Sequence, residues 1–174
     1  MRYARREPVY GERPNAYLKV QSARMEPGAS ILVPGDGYGR NGIWLAQQTA
    51  ETAGVEMKIE QADLATWNWP EARYDAVASI FVHLFPADRH AIHGNMLLAA
   101  KPGGIVILQA FNPRQLQYTS GGPKQTDLLY TAELLRQDFA GAEILELAEV
   151  IAELDEGRMH RGKGAVVQGV FRKK

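Results

Sequence analysis

Apolar and polar residues along this chain follow two periods, and the alternation between them sets out its elements. "ASILVPG" is a short apolar run closed by Pro34 and Gly35, the pattern of a buried strand. "RNGIWLAQQTAETAG", residues 40–54, carries helical spacing and ends at Gly54, a helix stop. "VEMKIEQAD", residues 55–63, alternates like a half-buried strand, and "YDAVASIF", residues 74–81, is a second apolar strand. "ADRHAIHGNMLLAA" reads as a helix stopped by "KPGG", and "GIVILQAF" as the strand that follows. "NPRQLQYTSGGPKQTDL" is a long polar loop, and "TAELLRQDFAG" a helix. "AEILELAEVIAEL" and "GAVVQGVFRKK" are strands joined by the hairpin-like "DEGRMHRGK". Strand and helix alternate to about residue 110, which predicts an α/β fold: a mostly parallel, Rossmann-like sheet with helices on both faces and a C-terminal antiparallel strand pair.

Composition narrows the function classes. The 174 residues suit one domain, and 45% hydrophobic content suffices for a core. Twenty basic residues balance twenty acidic ones, so no global field argues for nucleic acid or an anionic membrane. There is no cysteine, hence no disulfide frame, thiolate metal site or cysteine nucleophile. The polar opening "MRYARREPVYGERPN" lacks an apolar signal core, and no run approaches membrane-spanning length. A cytoplasmic protein, monomer or homodimer, is expected. His90 and His93 share a helix face, but no carboxylate cluster joins them, so no metal is expected.

The chemistry concentrates in "VPGDGYGRNG". Gly35, Gly37 and Gly39 permit left-handed backbone and close approach of a ligand, and the following helix aims its free N–H groups at the same place. Gly37, Gly39 and Gly42 also spell G-x-G-x-x-G, the weak mark of a dinucleotide site and of an NAD-dependent oxidoreductase. Asp36 argues against that reading, because its charge repels a pyrophosphate. S-adenosylmethionine brings an ammonium and a sulfonium instead, which an acidic turn accommodates.

These residues carry a family resemblance. "VPGDGYGRNGIWLA" resembles the first motif of class I S-adenosylmethionine-dependent methyltransferases, especially the small bacterial TehB-like (tellurite-resistance) group. "VYGERPNAYL", "QADLATWNWPEARYDAVASIFVHL", "LLAAKPGGIVILQAF", "GGPKQTDLLYTAELLRQDF" and "GRMHRGKGAVVQGVF" resemble further parts of that group. The resemblance implies one methyltransferase domain over 1–174: a lid-like segment at 1–27, a cofactor half at 28–110 and a substrate half at 111–174. It implies S-adenosyl-L-methionine as cofactor, S-adenosylhomocysteine as product, and methyl transfer to a small acceptor such as a thiol or chalcogen oxyanion. The cofactor would be held by Tyr10, Arg13, Gly35, Asp36, Gly37, Gly39, Asn41, Asp63, Leu64, Ser79 and Ile80. Phe81, His83, His160 and Arg161 would stand at the reacting end.

Each role has a plainer counterpart. Phe81 offers a ring face to a sulfonium or packs in the core. His83 orients a substrate or caps a loop. Arg13 meets a carboxylate or lies in a solvated tail. Phe111, Arg114, Tyr118 and Lys124 line the substrate side of the long loop. Arg158, His160, Arg161 and Lys163 form either a cationic rim or a solvated turn. Trp67 and Trp69 pack or cover an adenine ring. The family pattern also has a second strand ending in a ribose-binding acid, and between about Ala46 and Val55 there is no room for it. Either that strand is missing, with Asp63 at the adenine, or "VEMKIEQAD" fills its slot, with Glu60 as the acid. A missing strand leaves open a second outcome, a methyltransferase-like binding or scaffold protein with an incomplete cofactor site.

Overall fold

In the computed structural model of the protein, which describes residues 10–49 and 56–174, five strands form one sheet in the order β1-β2-β3-β5-β4. They are β1 (Ile31–Leu32), β2 (Tyr74–Ile80), β3 (Ala100–Phe111), β4 (Ala142–Asp155) and β5 (Arg161–Lys173). β1, β2 and β3 pair in parallel, and β5 is antiparallel to both β3 and β4. Four strands therefore share one direction and β5 alone opposes them, the mostly parallel sheet with a C-terminal antiparallel pair that the periodicity predicts.

Both faces of the central strands are covered, which is why β2 and β3 read as nearly unbroken apolar runs. On one face lie α1 (Ala16–Gln21) and α2 (Arg40–Thr49), whose Tyr17, Leu18 and Leu45 pack on Ala76, Ala78, Ile80, Ile105 and Ile107. On the other lie α3 (Pro86–Ala99) and α4 (Ala132–Asp138), where Ile92, Met96, Leu135 and Phe139 meet Val77, Val106, Leu108 and Phe171. Phe139 stacks on Phe171 with centroids 4.2 Å apart. Helix starts follow local chemistry: Asn15 Oδ1 accepts from Leu18 N at the head of α1, Thr131 Oγ1 from Leu134 N at the head of α4, and Pro86 opens α3. The entry to β1 is tied to β2 by Asp75, which accepts from Ser30 N, Ser30 Oγ and Lys101 Nζ. The hydrogen bonds from Lys101 and Ser30 hold its carboxyl down at about 2.

One expected strand is absent. Residues 56–63 of "VEMKIEQAD" run without regular structure and are exposed throughout, Ile59 to 84%. A strand needs a neighbour's N–H and C=O groups. β1 is only two residues long, and among the described residues nothing pairs with its outer edge. Alternation by itself therefore finds no partner here. Val55 lies outside the described residues, as do residues 50–54 of the expected helix, including its stop at Gly54. The described part of that helix, α2, matches the expectation.

His90 and His93 do face one side of α3, and there they serve packing. With Arg89 they converge on Asp138 of α4: Arg89 Nε and His93 Nδ1 each lie 2.8 Å from Asp138 Oδ2, and His90 Nδ1 lies 3.1 Å from Oδ1. Burial alone would raise the Asp138 pKa, but the hydrogen bonds from His93, Arg89 and His90 hold it well below the carboxylate range. Burial pushes the His93 pKa down, so its ring is neutral and donates through Nδ1. Asp138→Asn leaves the half-buried Arg89 without its counter-charge; we expect a loss of about 2–4 kcal/mol in urea unfolding at pH 7.

Candidate functional site

β1 ends where the chain turns back towards α2. Gly35, Gly37 and Gly39 in this turn have φ of +66°, +64° and +82°, a region that strains other residues. A Cβ on Gly35 would lie 2.9 Å from Val82 Cγ2, so the turn presses against the segment leaving β2. Asp36 folds back on the helix: its Oδ2 accepts from Gly42 N at 2.7 Å and its Oδ1 from Asn41 N at 3.2 Å. Burial raises the Asp36 pKa, and the N–H bonds from Gly42 and Asn41 counter it. The sequence points Asp36 at a ligand donor. In the structure its carboxylate caps α2.

The N-terminal segment is docked. Glu156, in the β4–β5 turn and 4% exposed, accepts Asn15 Nδ2 at 2.6 Å through Oε1 and the Arg40 guanidinium through Oε2. Asn15 N donates to Asn41 Oδ1 at 2.9 Å, and Arg40 donates to the Arg13 carbonyl. A Cβ on Gly11 would lie 2.9 Å from Gly157 N, so backbone touches backbone. The lid-like segment of the sequence reading is thus pinned from residue 10 onward, and residues 1–9 lie outside the described residues. Tyr10 reaches the site: its ring is 4.8 Å from that of His160. Arg13 does not, since its side chain pairs with Asp155 at 3.0 Å on the exposed surface. Glu156 and Arg40 have no signal in the sequence, because the partners stand 116 and 141 residues away in the chain.

Beyond β2, Phe81 adopts φ +55°, an uncommon strain for a bulky residue at the carboxyl end of a parallel strand. Its ring stacks on Phe111 at 4.6 Å and meets the edge of His160 at 4.5 Å. Tyr10, Phe81, Phe111 and His160 so form one aromatic cluster. His160 is buried within it and its Nδ1 has no partner among the described residues. His83 is committed to the backbone: Nδ1 lies 2.6 Å from the Leu128 carbonyl, to which it donates, and Nε2 accepts from Phe111 N at 3.3 Å. Both nitrogens are thus engaged by the backbone. Burial pushes the pKa of His83 and of His160 down to about 4.

The remaining expected residues divide. Ser79 and Ile80 are buried at the end of β2, and the Ser79 hydroxyl has no partner. Asn41 is buried beside the docked segment. Asp63 is exposed and caps a turn, accepting Ala65 N at 3.0 Å, while the Leu64 carbonyl takes the Trp69 indole N–H. Glu60 accepts from Lys58 and from the Trp67 indole. Trp67 and Trp69 pack edge to face at 4.9 Å. Phe111 is buried in the cluster, whereas Arg114 and Lys124 are exposed. The hairpin turns His160 inward and leaves Arg158, Arg161 and Lys163 exposed, so the three cations of the expected rim are solvated.

Two outcomes follow from this geometry. Glu156→Gln removes the charge that holds the Arg40 guanidinium; trypsin is expected to cut after Lys19, in the α1 segment that Glu156 docks, several-fold faster, with a stability loss of about 2–4 kcal/mol. The two buried histidines set a pH window. Their folded pKa of about 4 lies below the ordinary 6.5, so between these values the unfolded chain binds more protons. Stability present above pH 6.5 is therefore lost as pH falls towards 4. The Arg40 charge adds to the cost of protonating His160. Urea midpoints measured from pH 7 to 4.5 should fall, and should fall less in His160→Phe.

No protein-family model matches the sequence, and no curated protein matches it. Solved structures do. A protein of echinomycin biosynthesis, concerned with conversion of a disulfide bond into a thioacetal group, superposes with a TM-score of 0.72 at 19% identity, covering 100% of this chain and 87% of that one. TehB from Haemophilus influenzae superposes with a TM-score of 0.69 at 20% identity; 92% of this chain is covered, and it spans 62% of TehB. Magnesium protoporphyrin IX methyltransferase from Synechocystis, solved with bound S-adenosylhomocysteine, gives 0.62 at 16% identity over 90% and 80%. With the glycine turn after β1, the parallel core and the antiparallel β4–β5 pair, these likenesses establish that the chain has the class I S-adenosylmethionine-dependent methyltransferase fold.

Proposed function

We propose that this protein transfers a methyl group from S-adenosylmethionine to a small-molecule acceptor with a soft nucleophile, such as a thiol or a chalcogen oxyanion. The observation that carries the reading is the Asp36 cap. A dinucleotide pyrophosphate needs the N–H groups at the head of the helix after β1, and two of them, Asn41 N and Gly42 N, already bind a carboxylate. A phosphate-free cofactor with cationic groups suits such a turn. This same point speaks against the NAD reading.

The residues fit one half of the cofactor. The Gly35–Gly39 turn, with its left-handed glycines, allows close approach, and the Ser79 hydroxyl stands unpartnered at the neighbouring strand end. When bound, the cofactor supplies an electrophilic methyl on sulfur. The chain's own contribution is alignment and exclusion of water: Phe81 and Phe111 give an apolar wall, and the neutral His160 adds no charge to it. No base is needed for a nucleophile that is already ionised. For the ribose hydroxyls, Glu60 is engaged with Lys58 and Trp67, and Asp63 with Ala65. Loss of a charge-assisted ribose contact costs about 1.5–3 kcal/mol, roughly 10- to 150-fold in affinity.

The unpaired segment 56–63 favours a second reading, a methyltransferase-like binding or scaffold protein. Titration calorimetry separates the two. S-adenosylhomocysteine is expected to bind in the micromolar range and NAD not at all, and Gly37→Val, a β-branched residue at φ +64°, is expected to abolish binding. Unchanged affinity in Gly37→Val removes the turn from the site, and absence of binding in the parent protein leaves the scaffold reading.

A further inference from the structure

A second cleft lies apart from the glycine turn, between α1 and the sheet where β3, β5 and β4 meet, with a volume of about 450 Å³. Its floor breaks the apolar pattern of that sheet face. Ile105, Ile107 and Val170 are apolar there, yet Gln109 and Gln168 stand opposite each other in register. Gln109 is 2% exposed, and its only side-chain bond is a long one of 3.4 Å, accepted from Gln168. Its amide nitrogen meets no acceptor among the described residues. A buried amide joined by one weak bond to a half-buried one is a poor choice for a core and a good one for a ligand surface.

The wall formed by α1 adds a second sign. The Tyr17 hydroxyl is enclosed, within a residue 8% exposed, and has no partner in bonding geometry. Burial, followed by the nearby Glu146 charge, pushes its pKa far up, so it stands as a donor. Glu146 receives Gln21 and Arg24 on one carboxylate oxygen and stands against the Tyr17 hydroxyl. No lysine or arginine lines the cleft, while Glu146, Glu153 and Glu156 do, which excludes an anion. The cleft therefore presents donors at Tyr17 and Gln109 and acceptors at Gln168 and Glu146, with Tyr17 and Glu146 neighbours on one wall, beside the aliphatic Val20 and Leu154.

We propose that this cleft binds a small uncharged amino-heterocycle, which offers adjacent donors and acceptors on an apolar plane. The site is distinct from the glycine turn and does not depend on the methyl-transfer reading. Cytosine is a suitable probe. With ¹⁵N-labelled protein and saturating S-adenosylhomocysteine, millimolar cytosine is expected to shift the side-chain amide signals of Gln109 and Gln168. Tyr17→Phe and Gln109→Leu, which keep shape, are expected to weaken it at least fivefold, and Glu133→Ala on the far surface of α4 not at all. Absence of these shifts, or wild-type affinity in Tyr17→Phe with a native spectrum, overturns the proposal. Displacement of cytosine by S-adenosylhomocysteine also overturns it, since that places the probe at the glycine turn.

Discussion

The Glu156 carboxylate is the point on which the upper end of this molecule depends. It is buried, and it gathers a guanidinium from the head of α2 and an amide from the head of α1. A buried charge is costly unless fully partnered, and here both oxygens are engaged. The consequence is geometric. Three pieces of chain that are remote in sequence can meet only in one arrangement: the N-terminal segment, the first helix after the glycine turn, and the β4–β5 turn. That arrangement carries Tyr10 and His160 to the end of β2.

With that end fixed, the sheet supplies the rest. The parallel β1–β2–β3 core brings the glycine turn beside the exit of β2, where Gly35 packs against Val82. The antiparallel β5 returns the chain so that the β4–β5 turn stands over the same strand ends. The aromatic cluster at this junction is charge-poor at neutral pH, because desolvation keeps both of its histidines neutral. It is a surface suited to apolar contact and to a cationic sulfur, and unsuited to proton transfer. The acidic cap on α2 works in the same direction, since it occupies donors that a phosphate would otherwise claim.

The sheet also shows how pattern and partner compete. The "VEMKIEQAD" segment has the right period for a strand, but a strand is stable only as part of a ladder. With β1 cut to two residues and its outer edge unpaired among the described residues, alternation has nothing to act upon. β4 and β5 make the contrast. Their register runs from Ala142–Lys173 to Asp155–Arg161 with one shift between Ile144 and Glu146, so a pattern no stronger than that of 56–63 becomes a long hairpin.

The sequence by itself determined the fold class, the strand and helix order from β2 onward, and the glycine turn, because period, helix stops and glycine placement are local properties of the backbone. It did not contain the inward turn of His160, the commitment of His83 to two backbone groups, or the Asp36 cap on α2. Nor did it contain the Glu156 clamp or the Gln109–Gln168 pair. Each of these depends on which distant groups share a desolvated space, and desolvation, unlike periodicity, exists only once the chain has closed around them.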